Sequence, residues 1–220
     1  MIERRYAQLV ADVYAHAREC GRADATIEIV AVSKRQPADA IVRAAAAGVM
    51  AIGENYLQEA QAKFAALGDL PLRKHYLGHV QTNKAKGIAQ AFDVVQSVDR
   101  LDAGVALSRA AGALGKRLPV LLQLNISPSD RYGCLPQDAQ RLAEAIREMD
   151  GLALEGIMAI GPVTQDRDEI VRSFELAAKT LGSIGGSTLS IGMSGDWREA
   201  VRAGSTMLRL GTALFGPRSA

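Results

Sequence analysis

At 220 residues, 48% of them hydrophobic and 23% charged, the chain is long enough to bury the core of one globular domain. Its 26 Lys and Arg against 24 Asp and Glu leave a net charge of +2 with the signs interleaved, which excludes a basic stripe for bulk nucleic-acid or anionic-membrane binding. Cys20 and Cys134 lie far apart without a CxxC or CxxH companion, so neither a disulfide framework nor a metal site is indicated and reduced thiols in a cytoplasmic protein are expected.

The first predicted element is an amphipathic helix. In MIERRYAQLVADVYAHARECG, Ile2, Tyr6, Leu9, Val10, Val13 and Ala17 share one face and Gly21 ends it. The segment lacks the apolar run and small-residue cleavage site of a signal peptide, and no stretch reaches the roughly 18 apolar residues of a membrane span. Short β-rich runs then alternate with helical stretches. Strands are predicted at 27–33, 49–53, 74–78, 92–97, 118–125, 152–160, 187–193 and 206–210, and helices at 37–47, 55–66, 81–90, 99–114, 136–149, 165–182 and 196–203. Pro37 and Pro136 suit first helical turns, Asp99 and Ser194 stand where N-caps stand, and Gly48 and Gly115 close helices. Several strands are nearly unbroken apolar runs, as a parallel sheet covered on both faces requires. This rhythm predicts a single α/β domain over residues 1–220, a closed (β/α)8 TIM barrel with an extra N-terminal helix. An open doubly wound sheet is the alternative, but no GxGxxG follows the first strand and no GxxxxGK[ST] occurs.

In a barrel the carboxyl ends of the strands converge on one rim, which carries the chemistry. Here they read Ser33-Lys34, Gly53-Glu54-Asn55, Gly78-His79, Ser97-Val98-Asp99, Asn125, Gly161, Gly192-Met193-Ser194-Gly195-Asp196 and Arg209-Leu210-Gly211-Thr212. The last two loops are glycine-rich, bear the hydroxyls of Ser194 and Thr212, and follow strands 7 and 8, where barrels commonly seat a phosphate. Each also has a plain structural reading, Ser194 as an N-cap and Gly211 as a turn. Lys34 follows an apolar, β-branched strand, so its stem is expected against an apolar barrel interior. Desolvation there, with Arg35 or Arg209 nearby, would depress its pKa and make it a nucleophile toward aldehydes. A phosphate cup and such a lysine on one rim describe a site for a phosphorylated aldehyde, of which pyridoxal 5'-phosphate (PLP) is the obvious one. The plain alternative for Lys34 is a solvated surface cation.

AVSK (31–34), GENYLQE (53–59), HYLGHVQTNK (75–84), LNIS (124–127), GIMAI (156–160), GMSGD (192–196) and GSTMLRLGTALFG (204–216) together resemble the pyridoxal phosphate homeostasis proteins, the YggS/PROSC family, in family order. The resemblance implies a barrel similar to the N-terminal domain of alanine racemase, standing without a second domain. It implies that Lys34 holds PLP as a Schiff base, that Asn55 contacts the cofactor and that Arg209 faces the pyridine nitrogen. Ser194, Gly211 and Thr212 would hold the phosphate. Two positions depart from the family pattern. The loop after strand 5, often Lys-x-Gly, reads Arg131-Tyr132-Gly133, which keeps a charge but changes its geometry. The variable position after Gly78 is His79, for which a supporting structural role is expected rather than acid–base chemistry.

Two functions from different classes remain open on the sequence. One is a non-catalytic holder of PLP, a monomer that takes part in intracellular PLP homeostasis and supplies apo-PLP enzymes. The other is an amino-acid racemase. An arginine partner at the ring nitrogen disfavours its protonation and weakens the electron sink. A racemase also needs a second base opposite Lys34, for which Tyr56, Tyr76 and Tyr132 are the candidates within the chain. The holder is the favoured reading. A Schiff-base aldolase is set aside because the end of strand 6, Met158-Ala159-Ile160-Gly161, carries no lysine.

Overall fold

The computed structural model describes residues 1–127 and 132–216. Eight parallel strands close into a barrel in sequence order: β1 (Glu28–Val32), β2 (Ala51–Glu54), β3 (Arg73–Tyr76), β4 (Val94–Val98), β5 (Leu118–Leu124), β6 (Leu152–Ala159), β7 (Thr188–Ser190) and β8 (Met207–Leu210). Closure is made by β1 against β8, with Glu28 opposite Met207 and Ala31 opposite Leu210. The alternative open sheet is therefore excluded.

The helices are α1 (Ile2–Glu19), α2 (Ala38–Ala46), α3 (Leu57–Leu67), α4 (Ala85–Ala91), α5 (Leu101–Gly112), α6 (Ala139–Arg147), α7 (Arg167–Ile184), α8 (Trp197–Arg202) and the short α9 (Thr212–Phe215). Helix α1 buries Ile2, Leu9, Val13 and Ala17, while Tyr6 and Val10 of its predicted face are half-buried. It packs against α2, α8 and α9, over the seam where β1 meets β8. Arg5 ties it there by donating to Phe215 O at 3.0 Å, and Arg22 donates to Val201 O at 2.6 Å. No helix among the described residues is long and apolar enough to cross a membrane.

Pairing in a strand sends alternate side chains to opposite faces, so each strand feeds two compartments. The outer one, between strands and helices, is apolar and continuous, with Ile52, Phe92, Leu107, Leu122, Ile146 and Phe174 fully buried. The inner one differs from the apolar interior expected around Lys34. Its aliphatic part is a small separate cluster of Val30, Ala51 and Met207, and His75, Gln96, Ser190 and Arg209 are buried polar residues of β3, β4, β7 and β8. Buried polar groups are generally hydrogen-bonded, and these four are joined to one another, with His75 Nε2 alone among their ring, amide and hydroxyl atoms left without a bond.

Two expected caps are corrected. Helix α5 is entered through Arg100, which donates to Asp99 Oδ1 at 2.8 Å, so the Asp99 carboxylate answers a side chain and not the helix amides. Helix α8 is entered through Asp196, and the Ser194 hydroxyl instead accepts from Ala213 N at 3.1 Å. Pro37 likewise occupies the cap position of α2 just outside the helix. Gly21, Gly48 and Gly115 lie at positive φ past helix ends, as expected.

Candidate functional site

At the carboxyl-terminal mouth lies a cavity of about 280 Å³ lined by residues of six strand ends. Lys34, Asn55, Ser194, Arg209, Gly211 and Thr212, the six residues singled out on the sequence, all line it. Val32, Leu77, Met158, Ile160 and Met193 supply apolar wall, and Gly195 adds a second small residue beside Ser194.

The turn that presents Lys34 is tight. Gln36 N donates to Ser33 O at 2.9 Å across Lys34 and Arg35, and Arg35 adopts φ 61°, the left-handed region that a residue with a Cβ enters at a cost of about 1–2 kcal/mol. What holds it lies underneath. Lys63 Nζ donates to Ser33 O at 2.6 Å and to Glu54 Oε1 at 2.7 Å, and pairs with Glu59 Oε1 at 2.7 Å. Ser33 Oγ donates to the same Glu54 oxygen at 2.8 Å, and Arg35 N donates to Glu59 Oε1 at 2.5 Å. One helical lysine thus clamps both residues that flank Lys34. Burial pushes the Glu54 carboxyl up, against the lowering bonds from Lys63 and Ser33.

Asn55 follows β2 and is held close to the loop after β3. A Cβ on Gly78 would meet Asn55 O at 2.0 Å, so only glycine permits this approach. On the opposite side, the loop after β7 turns sharply at Gly192, φ 94°, where a Cβ would lie 2.5 Å from that of Ala200. Asp196 Oδ1 then accepts from Met193 N at 2.5 Å and closes the turn. The Ser194 hydroxyl accepts from Ala213 N, which joins the loop after β7 to the start of α9 and keeps the hydroxyl proton available to a ligand. Two small-residue loops with hydroxyls and backbone amides are thereby linked, a donor set suited to an anion.

Arg209 is 4% exposed. Its Nη1 donates to Ser190 O at 2.6 Å and Ser190 Oγ at 2.7 Å, and Nη2 to Ala159 O at 2.8 Å. Burial pushes the guanidinium down to about 10, with the Asp196 carboxylate acting the other way, so it is cationic at neutral pH. Burial pushes Asp196 up in turn.

The remaining polar rim residues do not join this cavity. His79 stacks on Tyr132 at 3.9 Å between ring centroids, with Arg100 Nη1 at 3.3 Å from its Nε2 and Asp99 Oδ2 at 3.6 Å from its Nδ1. Tyr76 donates to His79 O at 3.2 Å, and Tyr56 is exposed. None of Tyr56, Tyr76 and Tyr132 lines the cavity. Of the loop after β5, Tyr132 and Gly133 are described, whereas Arg131 lies outside the described residues.

Comparison with known proteins agrees with this architecture. Residues 13–219 match the alanine racemase N-terminal domain model. The pyridoxal phosphate homeostasis protein of Pseudomonas aeruginosa is 43% identical, with 99% of this chain and 96% of the relative covered. That of Escherichia coli K12 is 39% identical, with 99% and 97% covered. Among solved structures, PipY of Synechococcus elongatus PCC7942 with PLP bound superposes with a TM-score of 0.88 at 34% identity, covering 98% of this chain and 100% of that one. Near-complete coverage in both directions, on a closed barrel with the motif residues gathered at its mouth, makes the chain a member of the pyridoxal phosphate homeostasis protein family.

Proposed function

We propose that the chain holds PLP at the barrel mouth and takes part in intracellular PLP homeostasis without appreciable catalysis. Lys34 carries the reading. It is the one lysine among the described residues lining the cavity, and it shares that cavity with two small-residue loops and a buried arginine. The names of the curated relatives and the PLP bound to PipY support it.

Bound PLP supplies an aldehyde for a lysine and a ring able to withdraw electrons from a substrate. Lys34, whose amine is the cavity's nucleophile toward an aldehyde, would be the residue that holds the cofactor covalently. Ser194 and Thr212 hydroxyls and the amides of their loops would hold the phosphate, and Asn55 would contact the cofactor. Arg209, a donor with no acceptor, would bond the ring nitrogen and disfavour its protonation. That weakens the very step a racemase needs, and no tyrosine lines the cavity as a second base. In this reading the protein is a cytoplasmic monomer, and PLP passes from the barrel mouth to apo-enzymes.

The test joins cofactor and residue. The purified protein should show a visible absorption band that borohydride removes, and peptide mapping should then find the phosphopyridoxyl mass on the Lys34 peptide. Lys34→Ala should lack the band at an unchanged urea midpoint, since truncating a half-buried rim lysine leaves no core cavity. Label on Lys84 or Lys86 would overturn the assignment. The loaded protein should exchange the α-proton of alanine in deuterated buffer no faster than free PLP does. Stereospecific turnover lost in Tyr132→Phe would restore the racemase.

A further inference from the structure

The arginine of the cavity is the upper end of a chain of side chains that crosses the barrel interior. Ser190 Oγ, which accepts from Arg209 Nη1 at 2.7 Å, donates to Gln96 Oε1 at 2.7 Å. Gln96 Nε2 lies 2.7 Å from His75 Nδ1, and His75 Nε2 lies 3.6 Å from Glu28 Oε1. Glu28 is the first residue of β1, at the opposite end of the barrel from the mouth, where Arg73 approaches its carboxylate at 3.9 Å. The links come from β8, β7, β4, β3 and β1. Ser190, Gln96 and His75 are each 0% exposed, so no water competes for these bonds.

Chemistry fixes the direction of the chain. A guanidinium only donates, so Ser190 Oγ accepts from Arg209 and its single proton goes to Gln96 Oε1. The amide orientation follows, with Nε2 toward the imidazole. His75 Nδ1 must then accept, and the ring proton sits on Nε2, facing the Glu28 carboxylate. The contact with His75, followed by the charge of Arg73, holds the Glu28 carboxyl below its usual range, in keeping with a donor on that side. Reversing the amide would point both Gln96 Nε2 and Arg209 Nη1 at Ser190 Oγ and take from the hydroxyl proton the acceptor it has in Gln96 Oε1.

We propose that Ser190, Gln96 and His75 are positioning residues for Arg209, aligning its guanidinium toward the cofactor ring through a one-way hydrogen-bond chain that ends on His75, whose Nε2 faces the Glu28 carboxylate across 3.6 Å at the far end of the barrel. The proposal rests on the reading of the cavity as a PLP site.

Two readouts on the full chain separate it from that reading. In PLP-free protein labelled with nitrogen-15, His75 Nδ1 should resonate as an unprotonated nitrogen and Nε2 as a protonated one, and the Arg209 guanidinium protons should exchange slowly. Gln96→Leu, a near-isosteric break, should speed that exchange, whereas Gln96→Glu, which still accepts from Ser190 but no longer donates to His75, should restore slow exchange while drawing a proton onto His75 Nδ1. The reversed tautomer of His75, or equal exchange in all three proteins, overturns the chain whether or not PLP binds. With PLP added, Gln96→Leu should shift the absorption maximum of the bound cofactor and weaken affinity on the order of tenfold, the scale of one misdirected charged hydrogen bond, with Gln96→Glu near the unmodified protein. If exchange responds but the unmodified protein takes up no PLP, the reading of the cavity fails while the alignment of Arg209 stands. If PLP binds identically to all three, alignment toward the cofactor is refuted.

Discussion

The two halves of the barrel mouth are made from the same repeating unit and use their polar groups in opposite ways. On the side of β1, β2 and β6 to β8, strand ends direct Lys34, Asn55, Arg209, Gly211 and Thr212 at a cavity, and small residues keep the loops thin. On the side of β3 to β5 the strand ends answer one another. Ser97 Oγ donates to Gly78 O at 2.5 Å, and Arg100 donates to Asp99 and, at 2.7 Å, to Val80 O. His79 is covered by Tyr132, and Asn125 N donates to Cys134 O at 2.9 Å. A polar rim residue therefore says little about binding until its partners are known. Binding falls where the polar groups face space, and stability where they face each other.

The largest effect expected of this contrast comes from exchanging damage between the halves. Ser194→Ala with Thr212→Val should weaken PLP by tenfold or more, by order of magnitude, because charge-assisted bonds to phosphate are about twice as strong as neutral ones. Pyridoxal, without the phosphate, should bind the double variant and the unmodified protein alike. Arg100→Ala should do the reverse, leaving PLP affinity in place while orphaning Asp99 at a cost of about 1–3 kcal/mol in urea unfolding. A phosphate-independent loss in the first variant, or a loss of PLP affinity in the second, would erase the distinction.

An intermediate effect concerns the clamp beneath Lys34. Burial raises the Glu54 carboxyl above its ordinary value of 4.5, so its contribution to stability is fully present below 4.5 and declines as pH rises through the raised value. Glu54→Gln removes that dependence. Urea midpoints measured from pH 4 to 7 should therefore move in favour of the variant as pH rises, and a difference independent of pH would contradict the assignment.

The smallest effect lies on the self-satisfied side. Burial first, and the Asp99 charge second, push the Cys134 thiol up to about 12. Folded protein should resist alkylation at Cys134 at pH 8, and react there promptly in denaturant, as read by intact and peptide mass. Rapid labelling in the folded state would show that this half of the rim opens.

Much of this was legible in the sequence because strands buried on both faces must be apolar and their ends must turn. Each predicted strand overlaps an observed one. The errors have local causes: the predicted seventh strand runs to 193, whereas β7 stops at Ser190 ahead of the turn at Gly192. Helices α4 and α6 begin as 3₁₀ turns at Thr82–Lys84 and Pro136–Asp138, and α9 is too short to show a period. The lining residues were found because strand ends locate them. The clamp was missed because Lys63 lies on a helix and reaches the mouth only through Ser33 and Glu54. The interior chain left a signal that went unused, since Gln96 in FDVVQSV and His75 in RKHYLG are polar residues inside otherwise buried strands.

Closure of the sheet by β1 against β8 also sets a timetable. Lys34 follows the first strand and Arg209 to Thr212 belong to or follow the last, so the cavity is assembled from the two extremes of the chain. Joining them closes a longer loop than any other strand pairing in the barrel, an entropic toll that local helices and neighbouring strands do not face. A chain still emerging from the ribosome has its lysine long before it has its arginine, and residues are added at only about 5–20 per second. A cofactor site built from both strands should therefore form late, and the appearance of an absorption band during refolding with PLP should time the meeting of the first and last strands.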